Sequence, residues 1–266
     1  MSFPQTAQRV ALLLEYQGAA YAGFQVQPGQ STIQGALESA LEELYQEPLR
    51  VAGASRTDAG VHALGQVVGF RPPKVLPLTT VVQGLNYYLP KDIAVREAST
   101  IPETLDLRRD ALHRTYRYDM LLRPARTALW RDWVYQLSGP LDVSVMTWGA
   151  GLVWGQRDWS AFAASLSPGR SPVRRVEATS VRRCGERLIV TMTANAFLPQ
   201  QVRRTVGALL RLGQGKMTGE EFDALVKNGK PGSAEWPAPA RGLCLTHIDY
   251  GDMLRFQGAS HEDLSG

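Results

Sequence analysis

Gly53-Ala54-Ser55-Arg56-Thr57-Asp58-Ala59-Gly60-Val61-His62-Ala63 lies between two apolar runs, residues 49–52 and 66–70. Both runs read as strands, so the stretch reads as their connection. Its make-up is unusual for a plain turn. Arg56 and Asp58 flank Thr57, and small residues surround all three. Gly53 and Gly60 permit positive φ and a close approach of another molecule to the backbone. A carboxylate on such a loop is presented without bulk around it. Two readings are open on residue types alone. Asp58 bonds its own backbone in a turn, or the loop carries a functional side chain.

The flanking sequence predicts the unit that holds this loop. Residues 9–16 read as a first strand, followed by a Gly- and Gln-rich loop with Tyr21, Phe24 and Gln25. Ser31 then starts a helix, with Gln34 three residues on as in a capping box. Ile33, Leu37, Leu41 and Leu44 share one face at helical spacing, which marks core. Beyond the loop, residues 66–71 read as a strand ended by Pro72 and Pro73. Residues 79–88 read as a second helix and 93–98 as a fourth strand. The order is β-α-β-β-α-β, the split ferredoxin-like unit.

The second half predicts the same order without visible sequence repetition. Residues 114–122 form a strand with Tyr116 and Tyr118 on one face and Thr115 and Arg117 on the other. An irregular crossing at 124–135, an apolar helix at 143–154 and a loop at 157–172 follow. Strands at 174–183 and 188–195, a helix at 200–212, a short helix at 218–227 capped by Thr218 and Glu221, and a strand at 243–250 complete it. Residues 251–266 read as a polar tail. The expected fold class is therefore α+β: two ferredoxin-like units whose antiparallel sheets join around a central cleft. The first, residues 1–104, carries the Asp58 loop. The second, residues 105–266, carries an arginine-rich surface.

A chain of 266 residues is long enough for two such cores. No apolar run approaches the roughly 20 residues that span a bilayer, and no secretory signal is apparent near Met1, so a membrane role is not expected. Cys184 and Cys244 are too few for a disulfide framework and read as thiols in a reducing cytoplasm. No Cys-x-x-Cys or His-x-x-x-His pattern suggests a metal site. The net charge of +4 is unevenly spread. Residues 1–104 hold seven basic and nine acidic side chains. Residues 105–211 hold seventeen basic side chains, all Arg, against eight acidic ones. Arg pairs with phosphate and stacks on bases, so an RNA partner is expected.

Arg56-Thr-Asp-Ala-Gly-Val-His-Ala63 resembles the signature of the tRNA pseudouridine synthase A family. Tyr21-Ala-Gly-Phe-Gln-Val-Gln-Pro28, Thr32-Ile-Gln-Gly-Ala-Leu-Glu38, Asn86-Tyr-Tyr-Leu-Pro-Lys-Asp-Ile93 and Arg114-Thr-Tyr-Arg-Tyr118 also fit. So do Asp158-Trp-Ser-Ala-Phe162, Val202-Arg203, Val206-Gly207, Gly213-Gln-Gly-Lys216 and Ala238-Pro-Ala-Arg-Gly-Leu243, in order and over nearly the whole chain. The chain departs from the family pattern at Leu105-Asp106-Leu107-Arg108 and at Gln200-Gln201, where the family often has His.

The resemblance implies isomerisation of uridine to pseudouridine at positions 38, 39 and 40 of the tRNA anticodon stem-loop. The N1–C1′ bond breaks, the uracil turns, and C5 joins C1′. No group donor or electron carrier is consumed, so no cofactor is expected. It further implies Asp58 as nucleophile, with Arg203 favouring its ionised form. Tyr116 is implied to stack on the uracil and to move a proton at C5. The nucleotide must leave the stack, and Arg56 is placed to fill the vacated space or hold the phosphate. Thr57, His62 and Gln25 complete the expected substrate-binding set, His62 and Gln25 being the weaker candidates. A homodimer in the cytoplasm is also implied. The alternatives are a non-catalytic RNA-binding protein and a hydrolytic glycosidase, although the stretch offers no second acid for the latter.

Overall fold

The computed structural model describes residues 8–257 apart from 167, 168 and 170. The tail read at 251–266 lies outside the described residues from 258 on. The chain forms two compact units. One holds residues up to Leu112 and returns at Leu245; the other is His113–Cys244.

In the first unit, β1 (Arg9–Tyr16) enters the sheet, and Val10 to Leu14 are buried at every position. That continuous burial explains why β1 reads as an unbroken apolar run rather than an alternating one. Next come α1 (Ile33–Tyr45), β2 (Ala52–Gly53), β3 (His62–Phe70), α2 (Leu78–Tyr88) and β4 (Ile93–Ile101). β1 pairs antiparallel with β3, Val10 opposite Phe70 and Leu14 opposite Gln66, and with β4 on its other edge. With β2 on β3, this is the expected β-α-β-β-α-β unit. The last strand of the chain, β10 (Leu243–Asp249), lies along β3. Its backbone comes so close that a Cβ on Gly65 would sit 2.3 Å from the Thr246 carbonyl oxygen.

Three local details differ from expectation. The N-cap of α1 is Thr32, not Ser31: the Thr32 hydroxyl accepts from Gly35 N at 3.2 Å. Ser31 stays in the loop, its carbonyl taken by Ala22 N at 2.9 Å. β2 is only two residues long, and β3 begins at His62 rather than 66, because Ala63 pairs with Tyr16 beyond an irregularity in β1. Leu44, expected in the core, is only half-buried; it packs on α2, where Gly84 leaves room: a Cβ there would stand 2.6 Å from Leu44 Cδ1.

The second unit starts with β5 (His113–Leu122), followed by β6 (Tyr135–Leu137), α3 (Val143–Leu152), β7 (Gly155–Asp158), β8 (Val173–Cys184), β9 (Arg187–Ala194), α4 (Gln201–Gly213) and α5 (Gly219–Asn228). Its antiparallel strands run β5-β9-β8-β7, with the short β6 parallel to β5. Along β5 the expected alternation holds: Tyr116 and Tyr118 are buried, Thr115 and Arg117 half-buried. α3, α4 and α5 pack together, with Gly149 of α3 facing Leu209 and Leu212 of α4 and Phe222 of α5. The capping box of α5, Thr218 with Glu221, is present. The expected loop at 157–172 contains the end of β7 and a 3-10 turn at Ser160–Phe162. β7 exists because it pairs with β8, Gly155 opposite Val176 and Asp158 opposite Val173, a partner the local sequence does not announce.

The units are not divided at 104/105. Residues 105–112 stay with the first unit, and the chain re-enters it at Leu245. Two bonds tie these segments together: the Tyr250 hydroxyl donates to the Leu107 carbonyl at 2.6 Å, and Leu112 N to the Asp249 carbonyl at 2.8 Å.

Candidate active site

The Asp58 loop is clamped from behind by the end of β1 and the segment after it. The hydroxyls of Tyr16 and Thr57 share a hydrogen bond of 2.8 Å. Gln66, fully buried on β3, donates from Nε2 to the Tyr16 hydroxyl (3.3 Å) and the Ser55 carbonyl (2.9 Å), while its Oε1 accepts from Ser55 N (3.3 Å). Phe24 N donates to the Thr57 carbonyl at 3.0 Å and Gly60 N to the Tyr21 carbonyl at 3.2 Å. Val61 N donates to the Asp58 carbonyl at 3.1 Å, a turn that fixes the backbone on either side of the carboxylate.

Glycines make this clamp possible. A Cβ on Gly18 would lie 2.0 Å from the Val61 carbonyl oxygen, and one on Gly23, which has φ +98, 2.8 Å from the Thr57 oxygen. Gly60 has the expected positive φ, +78. Gly53 does not. It is small because the Phe24 ring lies where its Cβ would be, at 2.4 Å.

Asp58 itself is half-buried, and Arg56 is exposed beside it, as is Gln25. Thr57 and His62 are buried. His62 is only 1% exposed, and its Nδ1 accepts from Gly18 N at 3.1 Å. That nitrogen therefore carries a lone pair, and the ring acts as a pin between β3 and the segment after β1. Tyr21, also buried, donates to Asp92 Oδ1 at 2.6 Å; burial, reinforced by that carboxylate, pushes its hydroxyl well above the usual tyrosine range.

In the second unit, Tyr116 is buried on β5, edge-on to Phe197 with ring centroids 5.3 Å apart. Arg203 is half-buried on α4 and donates from Nε to the Ala238 carbonyl at 2.8 Å. The neighbouring Tyr118 is fully buried and donates to the Pro239 carbonyl at 2.7 Å. Burial, with a smaller push from Tyr135, raises its hydroxyl far above the usual range, and Arg203 and Arg241 oppose the rise. Tyr16 and Gln66 were not expected beside the Asp58 loop. Gln66 carried a signal: it is a lone amide in the apolar run 66–70.

The departures from the family pattern have structural partners. Asp106 Oδ1 accepts from Arg108 N (2.9 Å) and Arg109 N (3.1 Å), and those backbone bonds hold its carboxyl below the usual range. Gln200 takes a left-handed backbone, φ +60, ahead of α4, and buried Gln201 accepts from Leu198 N at 2.8 Å.

A family profile described as tRNA pseudouridine synthase matches residues 13–107 and 150–251. Both the Asp58 loop and α4 with Arg203 fall within it. The chain belongs to the tRNA pseudouridine synthase family. As a member it is an isomerase that acts on tRNA. Proteins named tRNA pseudouridine synthase A resemble it almost end to end. The one from Geotalea daltonii is 37% identical over 91% of this chain and 100% of its own length. The one from Dechloromonas aromatica is 41% identical over 82% and 84%, and that from Myxococcus xanthus 38% over 92% of each. Among solved structures, a chain of a Cbf5-Nop10-Gar1 complex is similar with TM-score 0.38 and 9% identity, over 80% of this chain and 48% of that one, too slight a likeness to bear on the argument.

Proposed function

We propose that this tRNA pseudouridine synthase isomerises uridine at positions 38, 39 and 40 of the anticodon stem-loop, with Asp58 as nucleophile. The observation that supports this reading is the clamped loop. A half-buried carboxylate sits on a backbone fixed by Tyr16, Gln66 and His62, with small residues on either side. A fixed nucleophile gains most of its effect from orientation, since the reacting carbon must approach along one direction. No atoms are gained or lost: the N1–C1′ bond breaks, C5 bonds to C1′, the C5 proton leaves while N1 takes one up, and the bond that Asp58 forms on the way is broken again.

Tyr116 and Arg203 act with Asp58 in this reading, Tyr116 against the uracil and Arg203 in favour of the ionised carboxylate. Arg56, exposed next to Asp58, takes the space of the displaced nucleotide or its phosphate, and Gln25 contacts RNA beside it. Thr57 and His62 serve by holding the loop, since both are buried. Arginines of β8 and the hairpin that follows hold phosphates, which position the RNA by its shape. The working form is a cytoplasmic homodimer.

The test is Asp58→Asn, assayed for pseudouridine in a tRNA transcript and for tRNA binding. Loss of turnover with binding retained is expected. Undiminished turnover would remove Asp58 from the mechanism. Transcripts with uridine at only one of the three positions report the site preference, and sedimentation of the purified protein reports whether it is a dimer.

A further inference from the structure

In the second unit, α4 turns an arginine-bearing face toward residues 232–239. This segment has no helix or strand of its own, so its backbone carbonyls need outside donors. Pro237 and Pro239 contribute no N–H. Arginines of α4 supply the donors. Arg204 donates from one terminal nitrogen to the Gly232 carbonyl (3.2 Å) and the Ala234 carbonyl (2.7 Å). Arg203 Nε donates to the Ala238 carbonyl at 2.8 Å, and Ala238 N returns a bond to the Arg203 carbonyl at 2.9 Å. Two turns further on, the Arg211 guanidinium lies 3.9 Å from the centroid of the Trp236 ring. Between them is Gly207, where a Cβ would fall 1.7 Å from the Trp236 carbonyl oxygen. Only glycine lets the segment lie so close to the helix.

We propose that Arg204 and Gly207 are positioning residues for Arg203: they seat the segment 232–238 on α4, and the Ala238 carbonyl then fixes the plane of the Arg203 guanidinium. A guanidinium held by its Nε has a set plane, so its two terminal nitrogens point in one defined direction. The seat is specific. Arg204 spans two carbonyls, Gly207 admits a third, and Arg211 covers the Trp236 ring. Loss of the seat leaves Arg203 in place on the helix but removes the Nε bond that sets the plane of its guanidinium. This inference rests on the reading that Arg203 acts in the reaction.

The experiment measures kcat and KM for tRNA, with melting temperature, in Arg203→Ala, Arg204→Ala, Arg204→Lys, Trp236→Ala and the double variant Arg203→Ala/Arg204→Ala. A sub-ångström to one-ångström misplacement of a reacting group costs on the order of tenfold to a hundredfold. Arg204→Ala is expected to lower kcat by about tenfold with KM nearly unchanged, and Arg204→Lys, which can reach one of the two carbonyls, to recover part of it. The double variant is expected to be no slower than Arg203→Ala alone, because Arg204 acts through Arg203. Additive losses in the double variant, or an Arg204→Ala effect confined to KM, would overturn the inference while leaving Arg203 in the mechanism. Full turnover in Arg203→Ala would instead overturn the reading on which the inference rests. Gly207→Ala adds to the test if it folds. If it does not, Trp236→Ala, a change to a partly exposed ring, provides an independent loosening of the seat and is expected to lower kcat in the same direction.

Discussion

The hydroxyl of Tyr16, at the end of β1, and that of Thr57, one residue before Asp58, share a hydrogen bond of 2.8 Å across 41 residues of chain. Gln66 completes the group by donating to the Tyr16 hydroxyl and bonding both the N–H and the carbonyl of Ser55. The loop that carries Asp58 is thus fastened on both sides of Arg56 by buried polar groups.

Tyr16→Phe removes the centre of that group. Thr57 and Gln66 each lose a buried partner, so a loss of about 1–2 kcal/mol in unfolding free energy is expected. kcat is expected to fall while tRNA affinity changes little, because the phenyl ring keeps the packing and only the loop's aim is loosened. Urea unfolding and single-turnover kinetics read the two effects. Full stability together with full turnover would mean that the loop is held by its backbone bonds and glycines alone.

Asp119 on β5 is 4% exposed and accepts from Arg117 Nε at 2.6 Å and from a terminal nitrogen of Arg187 on β9 at 2.7 Å. Asp119→Ala removes the carboxylate that these two half-buried guanidiniums share. The expected cost is about 3 kcal/mol in unfolding free energy. Replacing all three residues by apolar ones of similar size is expected to recover most of it. Chemical denaturation of both variants checks this, and equal stability of Asp119→Ala and the parent would show the pair to be solvent-screened.

Tyr118 gives an alkaline signature. Its folded pKa is raised above the ordinary value of 10.0, so the folded state holds its proton more tightly than the unfolded chain. The stability this lends is complete below about pH 10 and is lost as pH rises beyond it. Unfolding free energy is expected to fall on going from about pH 9 to about pH 11. Tyr118→Phe is expected to be less stable at neutral pH, since the Pro239 carbonyl loses its donor, but to show a shallower alkaline decline. Tyr21, raised in the same direction, remains in that variant and accounts for part of the slope that persists. Parallel curves for parent and variant would remove Tyr118 as a source.

Arg182 and Arg183 are exposed near the end of β8. If they hold phosphates, Arg182→Gln/Arg183→Gln lowers tRNA affinity at low salt and reduces the magnitude of the log–log salt slope by about two. Fluorescence anisotropy between low and moderate salt measures it. An unchanged slope would assign the phosphate contacts to other arginines.

Much of the fold was legible because its signals are local. β1, both helices of the first unit, and β8 and β9 followed from apolar runs, alternation and helical spacing, which depend on neighbours two to four residues away. Thr218 and Glu221 announced the start of α5 for the same reason. β7 and the start of β3 at His62 were hidden, since each exists by pairing with a distant strand. At the site, Arg56 and Asp58 stood out as charged residues among small ones. Gly53 was misread because its reason is the Phe24 ring, 29 residues earlier in the chain, and not its own φ.

The sequence by itself determined the α+β class, the β-α-β-β-α-β order of the first unit and the loop that presents Asp58, since periodicity, turn chemistry and a continuous family motif are all properties of neighbouring residues. Only the tertiary structure decided what holds that loop, that Leu245 onward closes the first unit, and that the α4 arginines grip residues 232–238 instead of lying in solvent. Each of these depends on buried donors and acceptors finding partners far along the chain, and on glycines whose missing Cβ matters only once another backbone arrives within 2–3 Å.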